Sequence, residues 1–500
     1  GPITDGWEYR IGGNYASSTA TSILGTGYHF RGVFASNAAA VASGTGATLA
    51  GQPDPRAPTA PGASAPGIVG LFNSGILNPF AVDQTPAALA ALDAVSAEGT
   101  RLYGGKYEVW QADASVSGDL FELPGGTVQV ALGVDYRRET YSFEGSSAAN
   151  LTSPDIFNVA FDNVNALAGV EREVKAAYAE VLVPVFDMLE ITGAVRVDDY
   201  DGFGSTWNPK VSAKFEPAPW IMFRGSYGTG FRVPTFNQIF NGTTRSPNPG
   251  SSLTDPTTCP PGGQVGVTPG CAAITPESLS GGNVNLGPET SEQFSVGAVL
   301  RPIPQVSLTA DYWNIAVDNV ILGGISIAQL FANIGSFPER IERTNGTIAL
   351  VGLRAVRFGA RRTSGIDFSG RASFDALEGT IGAGFDGTLL LTKKEKLLPN
   401  LPYTNQIGVF SLSGDLGLEW KHNAYVSYRR DDFTVTFSQI YRSGYVNFGL
   451  PNSLTGVNRS AERPDYNERV EPYIIYNLSL SQRVGDRLML TAGVKNIFDT

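Results

Sequence analysis

Trp110-Gln111-Ala112-Asp113-Ala114-Ser115-Val116-Ser117-Gly118-Asp119-Leu120 alternates without a break between apolar or small residues and polar ones. A turn sequence follows at Leu123-Pro124-Gly125-Gly126. Then Val128, Val130, Leu132, Val134 and Tyr136 alternate with Gln129, Ala131, Gly133, Asp135 and Arg137. Successive side chains of a strand point to opposite faces, so each half is a strand with one apolar and one polar face. The Pro-Gly-Gly between them closes a hairpin.

The same pattern recurs outward from this hairpin. Trp7, Tyr9, Ile11 and Tyr15 share one parity, as do Leu189, Ile191, Val195 and Val197, and Trp207, Val211, Ala213 and Phe215. Similar runs near 172–184, 220–228, 292–301, 305–316, 354–374, 380–391, 418–429, 433–442, 473–483 and 487–497 bring the total to about fifteen strands of membrane-spanning length. The connectors alternate in size. Tight ones, such as Pro217-Ala218-Pro219, Arg301-Pro302-Ile303-Pro304 and Arg430-Asp431-Asp432, alternate with long ones at roughly 25–103, 144–170, 230–290, 321–353, 392–416 and 444–470; only Asp199 to Gly204 breaks the rule. An up-and-down barrel with short turns at one rim and long loops at the other has this form, and a soluble sandwich has no reason to sort its connectors. Within the long connectors, residues 40–70 are rich in Ala, Gly, Pro and Ser. Ala87 to Glu98 and Ser326 to Asn333 are helical, and the remainder reads as irregular surface loop.

Composition agrees. Of 500 residues only 17% are charged, 59 are Gly and 10% are aromatic. The chain is too apolar for a disordered one. No apolar run approaches the ~18 residues of a spanning helix. A net charge of -11 with no basic stripe argues against nucleic acid as a partner. A barrel of this many strands is too wide to be filled by its own side chains, so it encloses something polar. The apolar faces then look outward, with Trp7, Tyr9, Trp207, Phe223, Tyr428 and Phe433 as an interfacial girdle. Asp113, Glu190, Arg196, Lys210, Lys214 and Arg224 look into the lumen.

Motifs of covalent chemistry are absent. There is no Gly-x-Ser-x-Gly elbow and no phosphate-binding Gly-rich loop. Two His and two Cys make no zinc site, and Asp198-Asp199-Tyr200-Asp201-Gly202 has Val197 where a calcium loop needs its first ligand. No metal, cofactor or enzymatic activity is expected. Cys259 and Cys271 read as a disulfide, worth about 3 kcal/mol in the chain-entropy model; two free thiols are the alternative.

Several stretches resemble the barrel of TonB-dependent outer-membrane receptors. Arg224-Gly225-Ser226-Tyr227-Gly228-Thr229-Gly230-Phe231-Arg232-Val233-Pro234 is similar to that family's strand ending in Gly-Phe-Arg-x-Pro before a major extracellular loop, here 230–290. Tyr178 to Pro184, Asn208-Pro209-Lys210, Leu286 to Ser291, Asp311 to Ile315, Ser364 to Asp367 and Asn496-Ile497-Phe498-Asp499 match further motifs, in family order. Gly230, Phe231, Arg232, Pro234, Asn496, Phe498 and Asp499 are read as structural motif residues. The resemblance implies an integral protein of the bacterial outer membrane. Its partners would be lipid, lipopolysaccharide, a small-molecule ligand and the TonB complex, which energises uptake. The family's barrel has 22 strands and an N-terminal plug that meets TonB; neither the plug nor the full strand count is visible here.

Ligand contacts are expected in the long loops. Tyr28, Phe30, Phe72, Phe80, Phe240, Phe331, Tyr403, Tyr445 and Phe448 could stack on a ligand, and Arg232, Arg245, Arg361 and Arg362 could pair with a carboxylate. Siderophores, vitamins, carbohydrates and aromatic ligands all fit the family. A passive porin or an adhesin would share the strand pattern without energy coupling, and a secreted β-rich enzyme would extract without detergent. An odd count of about fifteen strands leaves unpaired backbone in lipid, so the chain is expected to be residues of a longer protein lacking its plug, first strands and closing strand. Native material with an intact mass near 53 kDa would contradict this.

Overall fold

The computed structural model describes residues 1–30, 67–73, 75–145, 156, 167–246, 253–324, 326–398, 401–410, 416–447 and 469–499. Most of the Ala/Gly/Pro/Ser-rich stretch 40–70, and Phe448, lie outside them. Fifteen long strands form the wall. They are β1 (Trp7–Ile23), β2 (Arg101–Leu123), β3 (Gly126–Gly145), β4 (Leu167–Phe186), β5 (Leu189–Tyr200), β6 (Gly204–Ala218), β7 (Ile221–Arg232) and β8 (Glu289–Ile303). They continue as β9 (Val306–Leu322), β10 (Val356–Ala376), β11 (Gly379–Lys396), β12 (Trp420–Arg430), β13 (Phe433–Arg442), β14 (Tyr473–Val484) and β15 (Leu488–Val494). Each pairs antiparallel with the next. Pro2–Thr4 on β1 and Thr404–Asn405 on β11 complete a 17-stranded sheet. Among the described residues the ladder runs from β1 at one side to β15 at the other.

The turns at one rim are tighter than the sequence pattern suggests. β2–β3, β4–β5, β6–β7, β8–β9, β10–β11 and β12–β13 close over two residues each, as at Leu123↔Gly126 and Arg430↔Phe433. The strands run on through prolines expected in the connectors. Pro184 pairs with Glu190 just before a register shift, where its missing N–H is tolerated. At Leu377 and Glu378 both φ are positive, 52° and 59°, as a two-residue hairpin of matching twist demands.

The sorting of faces is unambiguous. Apolar residues of the predicted outer rows stand exposed: Ile11 at 75%, Trp110 at 59%, Val134 at 57% and Trp207 at 69%. A soluble protein would bury these rows. A lipid-facing barrel exposes them. On the opposite face charges bond across strands, as with Arg371 Nη2 to Asp386 Oδ2 at 2.6 Å. Glycines allow aromatic rings to lie over neighbouring backbone: a Cβ on Gly118 would meet the Trp7 ring at 2.2 Å, and one on Gly133 the Tyr178 ring at 2.3 Å.

At the other rim the connectors fold; the helical stretches expected near 87–98 and 326–333 are present, and the rest of the described residues there, expected as irregular surface loop, are ordered too. Helices α1 (Gly67–Asn73) and α2 (Pro86–Ala94) share a small core of Ile68, Leu71, Leu77, Ala88 and Val95. Thr85 caps α2 by accepting from the Ala88 N–H at 3.1 Å. Short helices α3 (Phe236–Phe240) and α4 (Ile327–Ala332) each begin with a capping box, Thr235/Gln238 and Ser326/Gln329. Thr244–Ser246 and Glu277–Ser280, after β7, join Ile341–Thr344 and Thr347–Gly352, after β9, in one four-stranded sheet. Ile274, Leu330, Phe337, Ile348, Val351, Val356 and Leu398 form its core. Three long connectors thus build one cap.

If the outer face meets lipid, Leu132→Arg on it should cost about 2–4 kcal/mol near the bilayer midplane. Thr309→Arg, on the charged inner face, should cost little. Resistance of the folded protein to heat in dodecyl sulfate gels reads both; equal tolerance would contradict the assignment.

Candidate functional site

The inner wall and the cap are the two surfaces a ligand could meet. On the wall, Arg224 of β7 makes a bidentate bond to Asp311 of β9, Nε–Oδ1 2.7 Å and Nη2–Oδ2 2.6 Å. The pair spans β8 because Gly297 lies between them; a Cβ there would stand 2.0 Å from Asp311 Oδ1. Arg172 on β4 holds Glu139 on β3 at 2.5 Å, and Arg137 reaches the same carboxylate at 2.9 Å. Arg196 bridges Asp198 at 2.9 Å and Asp135 at 3.6 Å. Two hollows open on the wall, one of them beside the Arg224–Asp311 pair. One of about 710 Å³ is lined by residues including Arg224, Asp311, Asp367, Asp386, Lys421 and Arg442. The other, about 460 Å³ and nearer the cap, is lined by residues including Trp313, Arg361, Thr363, Lys393, Glu395 and Lys421.

The cap is pinned to the wall by the motif residues. Arg232 at the end of β7 donates from Nε and Nη2 to Glu289 of β8 at 2.9 and 2.6 Å. Glu289 also accepts the Ile321 N–H of β9 at 2.7 Å, so one buried carboxylate joins three strands. Phe231 lies edge-on to Tyr200 at 5.3 Å. The Pro234 carbonyl accepts from Arg172 Nη1 at 2.9 Å, and that guanidinium lies 4.9 Å from the Phe236 ring centre. A Cβ on Gly230 would crowd Ser291 Oγ at 2.9 Å. At the other end of the wall, the Asn496 N–H donates to Asn477 Oδ1 at 3.2 Å and Asp499 N–H to the Asn496 carbonyl at 3.0 Å. Phe498 meets Tyr476 edge-on at 5.2 Å.

The loop residues expected to meet a ligand are dispersed. Phe240 is half-exposed beside Phe236. Arg245 pairs with Glu277 at 3.4 Å on the cap sheet. Phe331 packs on the cap core. Tyr445 contacts Phe410 at 6.2 Å where three short strands meet. Tyr403 lies against Arg362, Lys394 and Lys396. None of these five, nor Arg232, lines the two hollows. Strand residues line them, among them Trp313, Asp367, Lys421 and, of the expected arginines, Arg361. The signal for these strand residues is the polar parity that also places Arg224 in the lumen. Cys259 and Cys271 are joined by a disulfide in the cap.

A model described as TonB dependent receptor-like, beta-barrel, matches residues 3–497. The chain belongs to this family. Among curated proteins, the vitamin B12 transporter BtuB of Vibrio vulnificus is 29% identical over 121 residues, 24% of this chain and 17% of BtuB. Among solved structures, the siderophore receptor PirA of Acinetobacter baumannii has a TM-score of 0.55 at 15% identity, covering 82% of this chain and 53% of PirA. A ferric enterobactin receptor of Pseudomonas aeruginosa, in complex with enterobactin, has a TM-score of 0.55 at 15% identity, covering 80% and 50%. The chain spans about half the length of these solved structures. Barrels of this TonB-dependent receptor family lie in the outer membrane, so the long-loop rim and its cap are extracellular.

Across the cap, Arg343 grips buried Asp255 from the loop after β7, with Nη2 at 3.1 Å from Oδ1. The Thr257 hydroxyl and N–H add bonds of 2.7 and 2.9 Å to Oδ1. The Arg343 hydrogen bonds, helped by Thr257, hold the Asp255 carboxyl down to about 2. A depressed carboxyl stabilises the fold fully above its ordinary value near ~4 and loses that effect as pH falls through the folded value. Pepsin digestion should therefore leave the wild-type cap protected at about pH 3 and attack it as the pH approaches 2. Asp255→Asn should lose about 1.5–3 kcal/mol of cap stability, and its cleavage should lack this pH dependence.

Proposed function

We propose that the chain is the barrel wall and extracellular cap of a receptor for TonB-energised uptake of a scarce small molecule. The rest of the barrel and a plug would lie elsewhere in a longer protein, which its half-length match to solved relatives supports. The observation that carries the reading is the charged, ion-paired inner wall beneath a folded cap. Such a wall suits a water-filled path and gives no catalytic constellation a role. The upper hollow presents Arg361 and Lys421 beside Trp313, with Glu395 already bonded to Arg361 at 2.9 Å. That favours an anionic ligand with an aromatic or apolar part. Relatives named as receptors for siderophores and for vitamin B12 support the uptake role.

Uptake of labelled siderophores, cobalamin and oligosaccharides by cells carrying the full-length protein tests it. Uptake of one ligand should vanish without TonB while surface binding persists. Lys421→Gln should weaken binding of an anionic ligand about 2- to 5-fold, in line with an exposed charge contact of up to ~1 kcal/mol. Uptake that is unchanged without TonB would instead support a passive porin.

A further inference from the structure

The last four strands of the wall differ from the others in what they lack. β12, β13, β14 and β15 contain no Asp or Glu on either face. Every other wall strand except β7 carries at least one. From β3 to β11 the inner face is laced by ion pairs, Glu139–Arg172, Arg196–Asp198, Arg224–Asp311, Arg371–Asp386 and Arg361–Glu395. Strand register carries the inner face onward, because Asn423 of β12 pairs with Asp386. Lys421 then faces inward opposite Arg442, at the long-loop end of β12 and β13. At the turn end Arg429 and Arg483 face inward on β12 and β14. Among the described residues none of these four cations has a carboxylate partner.

Between the two pairs of cations the face is uncharged. Below Asn423, Ile440 and Ile475 come Ser438 and Asn477, then Ser427, Thr436 and Ser479, then Thr434, Ser481 and Thr491. The Tyr425 ring leans off this track, across Gly384 of β11, where a Cβ would stand 2.2 Å from it. Arg429 lies eight residues below Lys421, about 26 Å along the strand at ~3.3 Å per residue and about 20 Å in height at a tilt of ~40°. That spans most of an apolar band ~25 Å tall. Lys421 and Arg442 stand directly opposite each other, which destabilises a strand pair of like charges. A wall that had only to hold together would set a carboxylate beside them, as it does at Arg224 and Arg371. Unpaired cations in a cleft instead draw anions towards them. Hydroxyl and amide groups below bind an anion's oxygens weakly and at many positions, which lets it both enter and leave. On β2 and β4 the unpaired inner charges have the other sign, Asp113 and Glu180.

We propose that the inner face of β12–β15 is the lane along which an anionic ligand crosses the barrel, entered at Lys421 and Arg442 and left at Arg429 and Arg483. The proposal rests on the uptake reading and deepens it, by assigning the passage to one sector of the wall and to one sign of charge.

The test needs no knowledge of the ligand. Ser438→Cys and Ser479→Cys in the lane, and Ser115→Cys and Thr192→Cys on the inner face of β2 and β5, are made singly in the full-length protein. Each is labelled in cells by a sulfonate-bearing and by a trimethylammonium-bearing methanethiosulfonate, with the unsubstituted protein as blank. The anionic-to-cationic rate ratio should be at least about fivefold higher in the lane than at the other two positions, since unpaired cations raise the local concentration of anions. Adding Lys421→Gln/Arg442→Gln should bring the ratio at Ser438→Cys down to that of the other sector, whereas Lys421→Arg should keep it. Heat-modifiable gel mobility checks folding; if the double variant misfolds, Lys421→Gln and Arg442→Gln are read singly and should each lower the ratio. Equal ratios in the two sectors overturn the lane. Labelling in the lane should also be faster in cells with TonB than in cells without it. A TonB-dependent rise confined to Ser115→Cys and Thr192→Cys overturns the lane and leaves energised uptake standing. No rise at any of the four positions overturns energised uptake, and the lane with it.

Discussion

Hydrocarbon offers no water to a backbone N–H or carbonyl, and the rest of this structure follows from that constraint. Each wall strand must find partners along its length, and the nearest partner is the next strand in sequence. Hence the consecutive antiparallel ladder and the two-residue turns. Among the described residues the helices lie in the connectors of the long-loop rim, where water can satisfy what the ladder does not. Pro184 obeys the same rule, sitting beside a register shift rather than in an unbroken run of donors.

With the backbone settled, the side chains answer to two solvents. One face of each strand meets lipid, so charge is confined mostly to the other face and to the rims, which is why only 17% of residues are charged. On the inner face charges lie close together in pairs, and pairing requires room. Arg224 reaches Asp311 two strands away because Gly297 leaves the intervening position empty. Tyr425 lies across Gly384, where a Cβ would stand 2.2 Å from the ring. Part of the glycine content thus serves the aromatic rings, which at Gly118, Gly133 and Gly384 lie over a bare position on the adjacent strand.

This accounts for what could be read in the sequence. Period two is a local signal, so Trp110 to Leu120, Leu189 to Val197 and the turn at Leu123-Pro124-Gly125-Gly126 announced strands, faces and hairpins. The lumen residues were legible by parity, Arg224 and Arg196 among them. The cap was not. Its sheet joins Glu277–Ser280 to Thr347–Gly352, and its central ion pair joins Asp255 to Arg343. Contacts at such separation leave no periodicity in either partner, so segments that pack as strands read as loop. Phe331 illustrates the cost: a lone aromatic in a connector resembles a ligand contact until its neighbours Leu330 and Phe337 are seen to belong to a core.

Arg232 shows how the same geometry assigns a role within a motif. An arginine at the root of a large extracellular loop could serve a ligand or the fold. Here its fork is matched to Glu289, whose side chain is 10% exposed and also accepts the Ile321 N–H. Turning Arg232 toward a ligand would leave that carboxylate buried without its cation, a loss larger than one half-exposed contact with a ligand returns. Arg172 is held likewise by Glu139, the Pro234 carbonyl and the Phe236 ring. The cap is thus fastened at its root to β4, β7, β8 and β9. On the proposed uptake role, a conformational change that admits ligand would arise further out, between the capping elements, or inside the lumen, where Lys421 borders both hollows with no carboxylate partner among the described residues.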